Sequence, residues 1–228
     1  VKDLSGLHKD INNLKAACQA SGVERGFMNS ASPGVIAVFQ PNQYYANHEK
    51  YLSALADAMA TEYEAIVASG LELQIDAPDL AMGRHIRFRD ASDAEFMTAA
   101  EQQVEALNHA LRNVPADRVR MHICWGNYEG PHDFDIPLEK VIDIVLKARP
   151  TRLLFEAANP RHEHEWRVWQ NVKLPDGKVL SEFTVARLAD DHFYLVGAAG
   201  AEWHDLDVLE AALPADGSVT LHNISKDF

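Results

Sequence analysis

Apolar positions along the first 178 residues follow two alternating rhythms: short apolar runs, and longer stretches with helical period. Residues 3–19 read as a helix stopped at Ser21-Gly22. Gly26-Phe27-Met28-Asn29 is a strand, and residues 30–34 form the loop after it. Between His48 and Ser69, the positions Tyr51, Leu52, Leu55, Met59, Tyr63, Ile66 and Val67 repeat at helical spacing, and Gly70 ends that helix. Leu71-Glu72-Leu73-Gln74-Ile75 is the next strand, ending at Asp76. Ser92 with Glu95 three residues on makes a capping box for a helix reaching about Arg112. Val119 to Cys124 is a strand, residues 136–148 a helix with proline near its first turn, Arg152 to Glu156 a strand, and residues 161–170 a helix. Strand–helix alternation without hairpins predicts right-handed βαβ units and a parallel α/β sheet.

The rhythm changes after Asp176-Gly177. Ser181–Leu188 and His192–Val196 are β-rich runs separated by Ala189-Asp190-Asp191, which reads as a hairpin. A short helix over residues 202–212 and a strand over 218–224 complete a ββαβ unit. A domain of residues 1–178 followed by an appendage of residues 179–228 is therefore expected.

Charge narrows the partners. Thirty-four acidic against 21 basic residues leave a formal charge of −13. A surface that negative repels phosphate backbones and anionic lipid, which argues against nucleic acid and membrane as partners. No apolar run reaches the roughly 20 residues a membrane helix needs, and no secretory leader is visible. The chain opens on Val1, not Met, which predicts that it begins inside a longer reading frame. Two cysteines, Cys18 and Cys124, are too few for a disulfide framework, and the expected compartment is the cytoplasm. The oligomeric state has no sequence signal.

Parallel α/β proteins bind ligands at the carboxyl ends of their strands. Those ends hold Asn29, Asp76, His122 with Cys124, and Glu156. One residue separates His122 from Cys124, so a strand sends both side chains to one face. An imidazole beside a thiolate suits zinc, and Glu156 on the next strand offers a carboxylate. The plainer alternative is a small buried cysteine in a packed core. There is no phosphate loop, dinucleotide fingerprint or nucleophile elbow.

At these residues the chain resembles the cobalamin-independent methionine synthase family. Gln74-Ile75-Asp76-Ala77-Pro78 resembles one of its strand ends, and Met121 to Tyr128 resembles the segment with its first two zinc ligands. Leu154-Phe155-Glu156-Ala157-Ala158-Asn159 is similar to the strand giving the third. The resemblance covers roughly residues 1–178 and implies part of a TIM barrel, with His122, Cys124 and Glu156 as zinc ligands. It implies a zinc-dependent transfer of a methyl group, from a methylated tetrahydrofolate or a simpler donor, to a thiol such as homocysteine in methionine biosynthesis. Asp76 would bind the substrate amino group as the catalytic carboxylate, with Asn29 a further substrate contact. Asp76 could equally be a turn or capping residue before Pro78.

The chain departs from that pattern in two ways. The family's fourth ligand is a cysteine on the last barrel strand, and no cysteine follows Cys124. A complete barrel takes about 250 residues, and the early strands are missing. Residues 179–228 resemble instead the folate-binding aminomethyltransferase family, which includes the glycine-cleavage T-protein and part of dimethylglycine dehydrogenases. A non-catalytic chimera or truncated piece is therefore the competing expectation, and a relative using another thiol, such as coenzyme M, a third.

Overall fold

The computed structural model describes residues 3–127, 130–155, 161–172, 184–189, 192–196 and 202–224. The chain divides into two compact units, Val1–Phe155 and Glu156–Phe228. The expected seam near residue 178 lies outside the described residues.

The first unit is built on a four-stranded parallel sheet of β1 (Phe27–Ala31), β2 (Glu72–Asp76), β3 (Val119–Ile123) and β4 (Arg152–Phe155). Its strands lie side by side in chain order. With right-handed crossovers, that order sends every connecting helix to the same face, whereas a doubly wound sheet reverses direction at a switch point. The helices fit this: α2 (Pro33–Phe39), α3 (His48–Ala68), α5 (Asp93–Ala110) and α6 (Leu138–Val145) pack on one another in succession. A short α4 (Gly83–Ile86) precedes α5, and α1 (Ser5–Ala20) precedes β1 with only Ile11 buried.

Strand alternation divides the sheet chemically. Leu73 and Ile75 of β2 and Met121 and Ile123 of β3 have no exposure, and each such burial is worth about 1.5–3 kcal/mol. The alternate positions carry Phe27, Asn29, Glu72, Gln74, Asp76, Arg120, His122 and Arg152 in matched rows. There Glu72 is paired with Arg25 and with Arg152 (3.0 Å), and the Arg120 guanidinium lies 3.5 Å from the Phe27 ring centre. Burial pushes the Glu72 carboxyl up, but the two arginines outweigh it and hold it below its ordinary range. One face is thus a core and the other a half-exposed polar surface.

Side-chain caps explain the starts of α2, α3 and α5. Asn47 accepts a hydrogen bond from Lys50 N (2.9 Å), and Ser92 with Glu95 closes the expected box. Gly70, at φ +96°, follows α3 as expected. The loop expected to run to Gly34 ends sooner. Ser32 accepts from Val35 N and Pro33 takes the first helical position, so α2 starts there. Among the described residues no helix is long and apolar enough to cross a membrane.

In the second unit, β5 (Thr184–Ala189) and β6 (His192–Val196) form the expected antiparallel pair, and α7 (Glu202–Ala212) the expected helix. The helix expected over residues 161–170 forms as Glu163–Asn171, of 3-10 type. One expectation fails. The strand expected over residues 218–224 does not form: Val219 is 52% exposed and no described strand pairs there, so an extended run would leave its backbone groups without a ladder. The appendage is therefore ββα, not ββαβ, among the described residues.

Candidate functional site

The carboxyl edge of the sheet gathers the predicted residues from three strands. β2 and β3 run in register with Asp76 opposite His122, so the carboxylate and the imidazole leave the same face as neighbours. Cys124 follows β3 directly, half-buried, and is not in a disulfide with Cys18. Asn29 lies on the same polar face one row back, in register with Gln74. Glu156, the third expected ligand, is outside the described residues. Asp76 does not cap the turn after β2; Ala77 holds that position without a side-chain bond.

Backbone hydrogen bonds continue the ladder past the strand ends. Ser32 N donates to Asp76 O (2.9 Å), Ala77 N to His122 O (3.0 Å) and Met82 N to Cys124 O (3.3 Å). The loops after β1, β2 and β3 are thereby tied together above the sheet. Gly126, at φ +82°, lets the third loop press on Met82, whose Cγ and Sδ would lie 3.0 Å from any β-carbon there.

Two clusters lie within these loops. Behind Asp76, the fully buried Asp79 accepts from Ser32 Oγ (2.6 Å) against the α-carbon of Gly34. Burial lifts its carboxyl from the ordinary 3.8 to about 7; the Ser32 bond works downwards and the charge of Asp76 adds to the rise. Gln103, also buried at this point, has a side-chain oxygen with no hydrogen-bond partner among the described residues. The second cluster joins His85 of α4 to His132 and Asp135 of the loop after β3, with ligand atoms all within 4.8 Å of one another. Neither cluster announces itself in the sequence. Asp79 had a faint signal in the strand end Asp76-Ala77-Pro78-Asp79 facing Ser32-Pro33-Gly34, and the second cluster had only the spacing of His132 and Asp135.

No family model, curated protein or solved structure matches this chain. The chemistry of the site therefore rests on its own residues. An imidazole and a thiol two residues apart, half-buried at a strand end, are a donor pair that fits zinc better than a hard cation. Asp76 adds an anion beside the pair, suited to an ammonium group, and Asn29 adds an amide on the same face.

Proposed function

We propose that the carboxyl edge of this sheet performs zinc-assisted methyl transfer to a small amino thiol such as homocysteine, as in the cobalamin-independent methionine synthases. The observation that carries the reading is Asp76 in register with His122, with Cys124 two residues on. The strand order supports the matching fold proposal. Sequential parallel strands with one polar face are what a segment of a (β/α) barrel presents toward its interior. Closure of that barrel takes strands beyond these four.

His122, Cys124 and Glu156 would hold the metal. Zinc held there would supply Lewis-acid activation of a substrate thiol near neutral pH. The remaining work falls to the chain. Asp76 binds the substrate amino group and so aims its thiol along the edge toward β3, converting an encounter into a fixed geometry. Asn29 contacts the substrate from β1. The methyl group comes from a methylated tetrahydrofolate or a simpler donor, and the compartment is the cytoplasm.

The test is zinc content of the full chain by elemental analysis, together with methyl transfer to homocysteine and coenzyme M. Zinc should fall by about one equivalent in Cys124→Ser, and wild type should form the S-methyl product. Equal zinc in the two proteins refutes the ligand assignment. Zinc that depends on Cys124 but serves neither thiol selects the competing reading, a truncated or chimeric chain without turnover.

A further inference from the structure

We propose that His85 and His132, with Asp135 orienting His132, form a second cation site, for zinc or a neighbouring late first-row divalent ion, in the loops above β2 and β3. It shares no residue with His122, Cys124 and Glu156 and does not depend on the methyl-transfer reading.

The donors are held by two segments, α4 and the turn after β3. His85 sits on α4, whose approach is tied to the end of β3 by Met82 N donating to Cys124 O (3.3 Å) and by His85 N donating to Met82 O (3.0 Å). His132 and Asp135 sit on one turn, closed by Asp135 N donating to His132 O (3.3 Å). That turn is anchored at its far side by buried Trp125, whose Nε1 donates to Ile136 O (2.7 Å). The two histidine rings lie 5.0 Å apart at 13°, and the side chains of His132 and Asp135 are only 2% and 9% exposed. A preassembled set of imidazoles from separate loops is what a binding site requires and what a chance surface histidine lacks.

Asp135 fixes the chemistry. Both of its carboxylate oxygens reach His132 Nδ1, at 3.0 and 2.9 Å. A carboxylate on Nδ1 fixes the imidazole's tautomer and ring orientation, the arrangement found behind metal-binding histidines. Imidazole donors suit zinc, copper and nickel and not magnesium or calcium. The guanidinium of Arg84, next to His85, is neutralised by Asp93 at 3.1 Å. Bonds of about 2.0–2.1 Å place two ligands of a tetrahedral ion about 3.3 Å apart. One ring nitrogen of each histidine already lies within 4.8 Å of one on the other, so bringing two nitrogens to that separation takes a side-chain pivot.

Cobalt(II) titration of the full-length Cys124→Ser chain, read by visible absorption and equilibrium dialysis, tests the site with the thiolate removed. The expected result is about one bound equivalent, with ligand-field bands and no sulfur-to-cobalt charge transfer. Adding His85→Gln or His132→Gln should weaken it at least about tenfold, and Asp135→Asn about 10- to 100-fold, as loss of a ligand-orienting carboxylate does. Circular dichroism of each variant confirms folding; if His132→Gln unfolds, His85→Gln on its short helix decides alone. No cobalt in the Cys124→Ser chain, or affinity unchanged in the folded histidine variants, overturns the site. The charge-transfer band of wild type reports the His122–Cys124 pair separately, so failure of one assignment is distinct from failure of the other.

Discussion

Gly34→Ala should be among the most destabilising methyl additions in this protein. A β-carbon at this position overlaps a carboxylate oxygen of Asp79 outright and lies 2.8 Å from its Cγ and 2.9 Å from Gln103 Cγ. Ordinary carbon contacts are about 3.5–4.0 Å, so Gln103 must retreat by about 0.6–1.1 Å and the Asp79 oxygen by more. Neither has room. Asp79 and Gln103 are 1% and 3% exposed, and moving Asp79 breaks its 2.6 Å bond from Ser32, which also caps α2. Overpacking costs about 1–3 kcal/mol and a broken buried hydrogen bond about 1–3 more. Better helix propensity returns at most about 1 kcal/mol. The net is about 3 kcal/mol, or about 6–12 °C in Tm for a unit of this size. Urea unfolding followed by circular dichroism should show a lower midpoint at unchanged slope. In an Asp79→Ala background the same methyl should cost at least about 1 kcal/mol less, because its obstacle is gone. A Gly34→Ala protein within about 0.5 kcal/mol of wild type would refute the reasoning.

Asp79 should also make stability fall with rising pH. Its folded carboxyl, near 7, keeps a proton that the unfolded chain releases near 3.8, so the contribution is complete below about 4 and lost as pH rises through 7. The loss is about 1.4 kcal/mol per unit and at most about 4 in all. Asp79→Asn, which cannot ionise, should gain on wild type between pH 4 and 8, and parallel pH profiles in urea melts would disprove it. Tyr63→Phe removes a hydroxyl that donates to Ala31 O at 2.6 Å from a fully buried ring. It should cost about 1–3 kcal/mol in the same melts, and a loss under about 0.5 would mean that Ala31 O finds another donor.

The strands of the first unit were legible because each is a short apolar run whose alternate residues differ in polarity, as in Met121-His122-Ile123. Helix starts were legible where a side chain supplies the cap, as at Ser92. The same logic was available at Ser32-Pro33, but seven residues carry too little periodicity to announce α2. Residues 218–224 misled in the opposite way. Their alternation is real, but a strand exists only with a neighbour, and one sequence does not name its neighbours. The site divides along the same line. Two-residue periodicity put His122 in the polar set, and register set Asp76 beside it, while Cys124 lies one residue past the strand. Asp79, His85 and His132 depend on contacts between loops distant in sequence, Gly34 against Asp79 and Gly126 against Met82, and no local pattern encodes those.

The division of each strand into a buried and a polar set has an evolutionary corollary. On β2 and β3, Leu73, Ile75, Met121 and Ile123 answer to the helices behind them, while Gln74, Asp76, Arg120 and His122 answer to whatever occupies the opposite side. A substitution in one set is therefore expected to leave the contacts of the other set in place. A new specificity can be explored by point substitution without endangering the scaffold. A single inserted codon is different in kind, since the strand beyond it would exchange its two roles at once. Such strands should tolerate rewriting far better than lengthening.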